Sequence, residues 1–146
     1  MMLVIGGAAS LTYAQPYFQV PADVSELKAE RLNGVIFRYI EFFDYPCLRL
    51  ETLALSEGSL SVDAQKDICS LTPKGEDPIT FKKNVTSVVS DDIKEQDASF
   101  SFRAEYVLAE VSAPIFYTDC NVKVETTGAL GEVKCGPRKQ LDLDAE

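Results

Sequence analysis

Four cysteines, Cys47, Cys69, Cys120 and Cys135, are the residues whose type and number most directly commit this sequence to a chemistry. They are even in number and none is spaced C-x-x-C. That argues against a thioredoxin-type redox centre or a zinc knuckle, and for structural disulfides made in an oxidising compartment. Four cysteines allow three pairings. The local pairs Cys47–Cys69 and Cys120–Cys135 each close a stretch of strand-like sequence, and these are the predicted bridges. Loop entropy assigns each about 3 kcal/mol of stability.

The other candidates are weaker. An aromatic cluster, Phe37, Tyr39, Phe42, Phe43 and Tyr45, is suited to an apolar ligand pocket lined by Phe37, Tyr39, Phe42 and Phe43. Aromatics in such a pattern more often fill a core. Asp91-Asp92 with Glu95 and Asp97 offers oxygen ligands for Ca²⁺ but lacks the EF-hand spacing and its central glycine, so a solvated connector is the better reading. Asn84-Val85-Thr86 is a glycosylation sequon, a short motif that arises often by chance. No pair of carboxylates stands out for acid–base work. No cofactor or metal fingerprint is found, so catalytic, cofactor and metal-binding residues are expected to be none.

Composition narrows the classes further. The sequence contains no histidine, which removes Ser-His, Cys-His and His-ligated zinc chemistry within it. It has no tryptophan, so sugar stacking would fall to tyrosine or phenylalanine. The net charge of −9 and a pI near 4.5 repel nucleic-acid backbones and anionic membrane surfaces alike. With 46% hydrophobic residues over a length of 146, one globular domain with a real core is expected.

The elements that position these residues follow from the pattern along the chain. Residues 1–14 form an uncharged apolar run ending in Thr12-Tyr13-Ala14, which reads as a signal peptide cut ahead of Gln15. No Lys or Arg precedes the run. Asp23 with Glu26 has the form of a capping box, and Val24, Leu27 and Leu32 follow helical spacing up to Asn33-Gly34. A short helix over residues 24–32 is predicted. Residues 35–43 are β-branched and aromatic, favouring a strand, although a helical face also fits.

From Cys47 onward the pattern is extended. Leu48 and Leu50 share one parity, whereas Leu53 and Leu55 take the other, which predicts a bulge or bend. Glu57-Gly58 marks a turn, residues 71–78 a loop, and residues 99–111 the clearest alternating strand. Residues 115–126 and 132–135 read as a hairpin turning at Thr127-Gly128, stopped by Gly136-Pro137.

The predicted class is α+β, mainly β: one short N-terminal helix packed on an antiparallel sheet, with two disulfides. Residues 15–137 form the single domain and 138–146 an acidic tail. The expected product is secreted or periplasmic and soluble rather than membrane-spanning. The function expected is a non-enzymatic module recognising another protein, with edge strands as natural partner surfaces. The alternatives are a carrier of a small apolar ligand in the aromatic pocket and, last, a carboxylate-dependent enzyme.

Overall fold

The computed structural model describes residues 23–32, 34–90, 98–108 and 114–142. The first four strands, β1 (Val24–Leu32), β2 (Val35–Phe42), β3 (Leu48–Ser56) and β4 (Ser59–Ile68), form an antiparallel meander in that spatial order. There is no helix among the described residues. The predicted helix over 24–32 is instead β1, registered on β2 from Val24↔Phe42 to Leu32↔Val35. The reason lies in Asn33-Gly34. Leu32 pairs directly with Val35, so Gly34, at φ 79°, turns a hairpin rather than capping a helix. The β3–β4 hairpin repeats the device, with Glu57 at φ 52° and Gly58 at φ 80°. Such left-handed turns match the twist of paired strands, so an Asn-Gly between two β-rich runs closes a hairpin.

A small ribbon follows, β5 (Ser70–Leu71) with β6 (Ile79–Thr80), joined by the loop foreseen at residues 71–78, of which Leu71 belongs to β5. The second meander is β7 (Val85–Ser90), β8 (Ser99–Tyr106), β9 (Phe116–Val124) and β10 (Leu130–Cys135). β11 (Lys139–Gln140) pairs with Phe116 and Tyr117 of β9, so strand pairing continues into the stretch the sequence assigned to the tail. The apolar N-terminal run with its expected cut ahead of Gln15, the acidic stretch 91–97 and residues 143–146 lie outside the described residues.

The two meanders pack face to face, a second sheet taking the place expected of the helix. Phe37 and Tyr39 of β2 meet Phe100 of β8 at ring-centroid distances of 5.1 and 5.3 Å. Leu48, Leu50, Phe102, Tyr106, Val122 and Val124 complete one core. On β8 the alternation is complete, with Phe100, Phe102, Ala104 and Tyr106 buried and the residues between them half-buried. Thr52 donates a hydrogen bond across the layers to the Gly128 carbonyl at 2.6 Å.

Both predicted disulfides are present, each between directly opposed neighbours. Cys47 and Cys69 sit one step beyond the Leu48↔Ile68 pair, with Cα atoms 4.2 Å apart. Cys120 opposes Cys135, Cα atoms 4.0 Å apart. Gly136 N–H donates to the Asp119 carbonyl, which makes 119/136 the hydrogen-bonded pair and 120/135 the adjacent, closer one. The β9–β10 register does shift, but between Leu130 and Val133, on the turn side of the bridge. Two such bonds fit an oxidising compartment. No helix among the described residues is long and apolar enough to cross a membrane.

The glycine turns give the first prediction. Gly34 has open space around it, so Gly34→Ala should cost only the left-handed strain, about 1 kcal/mol. At Gly128, φ 91°, a Cβ would also strike the Asp63 carboxylate and press the Thr52 hydroxyl that binds the same residue's carbonyl. Gly128→Ala should therefore cost more, about 2 kcal/mol. Urea unfolding of the two variants checks the order; equal losses would contradict it.

Candidate interaction face

Strand alternation gives each sheet an outer face, and the two differ in kind. Along β8 the outward residues are Ser99, Ser101, Arg103 and Glu105, opposite Lys123, Asn121, Asp119 and Tyr117 of β9. Arg103 binds Asp119 through Nε at 2.7 Å and Nη2 at 3.2 Å, and lies 4.1 Å from the Tyr117 ring centre. This is an ordinary solvated surface.

The outer face of the first meander mixes charged residues with an apolar group gathered toward the β3–β4 hairpin end. Registered rows run Leu27–Ile40–Arg49–Asp67, Ala29–Arg38–Glu51–Gln65 and Arg31–Ile36–Leu53–Val62. Leu55 and Leu60 form a further opposed pair at the hairpin end. The parity switch read in the sequence has its meaning here. The register does shift between Thr52 and Leu53, but the extra residue is Asp63 on β4. β3 itself continues unbroken, so Leu53 and Leu55 turn outward. Leu55 is 69% exposed and Val62 47%.

The opposite end of this face carries an aromatic and arginine cluster. Phe42 and Tyr45 meet edge to face at 5.6 Å. The Arg49 guanidinium lies 5.1 Å from the Phe42 ring centre and 5.7 Å from that of Tyr45. Arg49 also binds Asp67 through Nε and Nη2 at 2.8 and 3.2 Å, and the Tyr45 hydroxyl donates to Asp67 at 3.0 Å. The Arg49 bonds hold the Asp67 carboxyl below its usual pKa, and Asp67 in turn raises that of Arg49. Between the two ends, Arg38 donates to one oxygen of Glu51 through Nε at 2.9 Å and Nη2 at 2.6 Å. Glu51 is 4% exposed although it sits on an outer face.

The four residues expected to line an apolar pocket do not come together. Phe37 and Tyr39 are fully buried against Phe100, Phe42 has the opposite parity on β2, and Phe43 is 69% exposed at the strand end. The Asn84 side chain of the sequon is committed at both ends. It accepts from Thr80 N–H at 3.0 Å and donates to the Val107 carbonyl at 2.9 Å. No group of three or more His, Cys, Asp or Glu suited to a metal ion is found among the described residues.

One polar cluster at the edge of the sandwich had no signal in the sequence. β1 turns Glu26 and Lys28 inward, opposite Glu41 and Tyr39 of β2. Lys28 pairs with Glu26 at 3.3 Å and donates to Ser90 of β7 at 2.6 Å. Burial, then the hydrogen bond with Glu26, pushes the Glu41 carboxyl from 4.5 up to about 7, while Glu41 and Lys28 hold Glu26 low. The Tyr39 hydroxyl is buried beside Glu41, and burial together with that carboxyl's charge raises its pKa.

Comparison with known protein families, with curated proteins and with solved structures finds no match.

The carboxyl pair sets a pH dependence. Glu41 binds its proton more tightly folded than unfolded, so its stabilising share is complete below about pH 4. That share is lost as pH rises through about 7. Glu26, shifted the other way, contributes above the ordinary carboxylate range and so does not oppose the trend between pH 5 and 8. Unfolding free energy should fall between pH 5 and 8 by on the order of 1–2 kcal/mol, the two groups titrating together. Glu41→Gln should remove most of that slope; an unchanged slope in the variant would contradict the assignment.

Proposed function

We propose that this chain is a non-enzymatic binding module of an oxidising compartment, secreted or periplasmic, and that it recognises another protein through the outer face of the first meander. The observation that carries this reading is the contrast between the two outer faces. One is serine, asparagine and ion pairs with Val89 and Tyr117 set singly among them; the other groups Leu55 and Val62 beside Leu53 and Ile36, with a Tyr–Arg–Phe cluster at its far end. Exposed apolar patches bordered by arginine and aromatics are the composition of protein-binding surfaces.

Size favours use of the whole face. Four strands about 4.8 Å apart and about eight residues long give a flat footprint of roughly 500 Å². Side-chain relief raises that toward the ~800 Å² per partner of a standard interface. The aliphatic end alone is too small. The net charge of −9 opposes self-association and speeds encounter with a basic partner.

The edges of this sheet support face docking over strand addition. β1 turns Glu26 and Lys28 inward, and β4 carries the Asp63 bulge and inward Lys66, registered with Leu50. Inward charges and bulges of this kind block pairing with a foreign strand. The apolar-carrier reading has no comparable support, because its four aromatics are dispersed over core and surface.

The test is saturable binding to a partner recovered from the native secretion or envelope extract, measured by biolayer interferometry. Leu55→Asp with Val62→Lys should weaken it at least tenfold with fold stability kept. Ser101→Lys, on the other outer face, should change it less than twofold. Equal effects from both faces would contradict the reading.

A further inference from the structure

The second meander has edges of its own, and they are unequally defended. β10 carries Glu132 and Lys134 and a register shift between Leu130 and Val133. β7, at the opposite edge, reads Val-Thr-Ser-Val-Val-Ser. Among the described strands longer than two residues, it alone has no charged side chain. Its register on β8 shifts near Thr86, at the start of the strand, so Ser87–Ser90 pairs without interruption. Val85 and Val88 pack against the core and hold the strand in place, while Val89 is 48% exposed on the outer side.

The free backbone groups of this edge follow from the ladder. Val124 N–H donates to the Ala98 carbonyl, and Val107 N–H to that of Asn84. Even-numbered residues of β8 therefore bond to β9, and odd-numbered ones, Arg103 among them, to β7. Arg103 opposes Val89, so Val89 spends its N–H and carbonyl on β8. Those of Val88 and Ser90 point away from the sheet, where no described strand meets them. Uncharged β-rich edges with free backbone groups are templates for a further strand.

We propose that the β7 edge binds an extended segment of a partner protein by strand addition, and that this segment alternates basic with apolar side chains. Directly opposed residues share a face, so those opposite Val88 and Ser90 would turn toward β1 and the one opposite Val89 outward. On the β1 side, the Glu26 and Glu41 carboxyls stand against the ammonium of Lys28. That ammonium is already held by Glu26 at 3.3 Å and Ser90 at 2.6 Å. Basic side chains suit these inward positions. The outward position lies beside the exposed Val89 and suits an apolar residue. The net charge of −9 draws in a basic segment and opposes a second copy of this chain. The edge belongs to the other meander, so its use stands without that of the first meander's outer face.

The test is amide exchange and chemical-shift titration of the intact disulfide-bonded protein, with acetyl-Thr-Val-Lys-Val-Lys-Val-Thr-amide as probe. In the free protein the amides of Val88 and Ser90 should exchange at least tenfold faster than that of Val89. The peptide should bind saturably, with Kd about 1 mM or tighter, and protect both amides. N-methylation of its two lysine amides should abolish binding, and glutamate in place of lysine should weaken it at least tenfold. Val89→Lys, at an exposed position that spares the fold, should weaken it at least fivefold. Protection of Val88 and Ser90 in the free protein would show the edge already covered and overturn the proposal. So would absence of saturable binding, equal binding of the methylated or glutamate peptide, or dimerisation that protects β7.

Discussion

The contact of the Phe100 ring with Phe37 and Tyr39 is what the rest of the structure depends on. Each meander turns one apolar face inward, and among the described residues it is the other meander that covers it. Both rings of β2 and the Phe100 ring are fully removed from solvent, and Phe102 stacks behind at 5.7 Å. At about 25 cal/mol per Å² and 150–250 Å² each, every such aromatic contributes several kcal/mol of burial. The disulfides act differently. Each joins neighbours within one sheet and so fixes register without holding the layers together.

Pairing of the inner faces decides what the outer ones show. Because Phe37, Tyr39, Leu48, Leu50 and Thr52 turn inward, the residues between them turn outward by the period of two. For β8 that exposes serines, an arginine and a glutamate. For β2 and β3 it turns Ile36, Leu53 and Leu55 outward beside the covered Ile40, with the Arg38–Glu51 pair set among them. The edge of the sandwich works in reverse. There β1 turns Glu26 and Lys28 inward, where Ser90 and the Glu41 carboxyl receive them.

Much of this was legible in the sequence where pattern and chemistry agree. β8 alternates without a fault, the turn at Thr127-Gly128 falls where counting from Cys120 and Cys135 places it, and the strand reading of residues 35–43 holds for Val35–Phe42. β1 was misread because its inward positions are charged. With Glu26 and Lys28 facing the core, the apolar alternation of a strand disappears, and Val24, Leu27 and Leu32 are left at helical spacing. β11 is two residues long and follows Pro137, below what periodicity can register. Residues 73, 76–79, 84, 106, 108 and 138 line one cleft, drawn from separate stretches of chain that no local pattern links.

The proposed recognition face presupposes that the two meanders are one cooperative unit with a shared core. Native-state hydrogen exchange on Phe100→Ala tests that most directly. Removing the ring should cost about 3–5 kcal/mol. Amides of β2 and β3 should lose protection by the same factor, on the order of 10²–10³, as those of β8 and β9. Loss confined to β8 and β9, with the first meander still protected, would show two separate units and contradict the account.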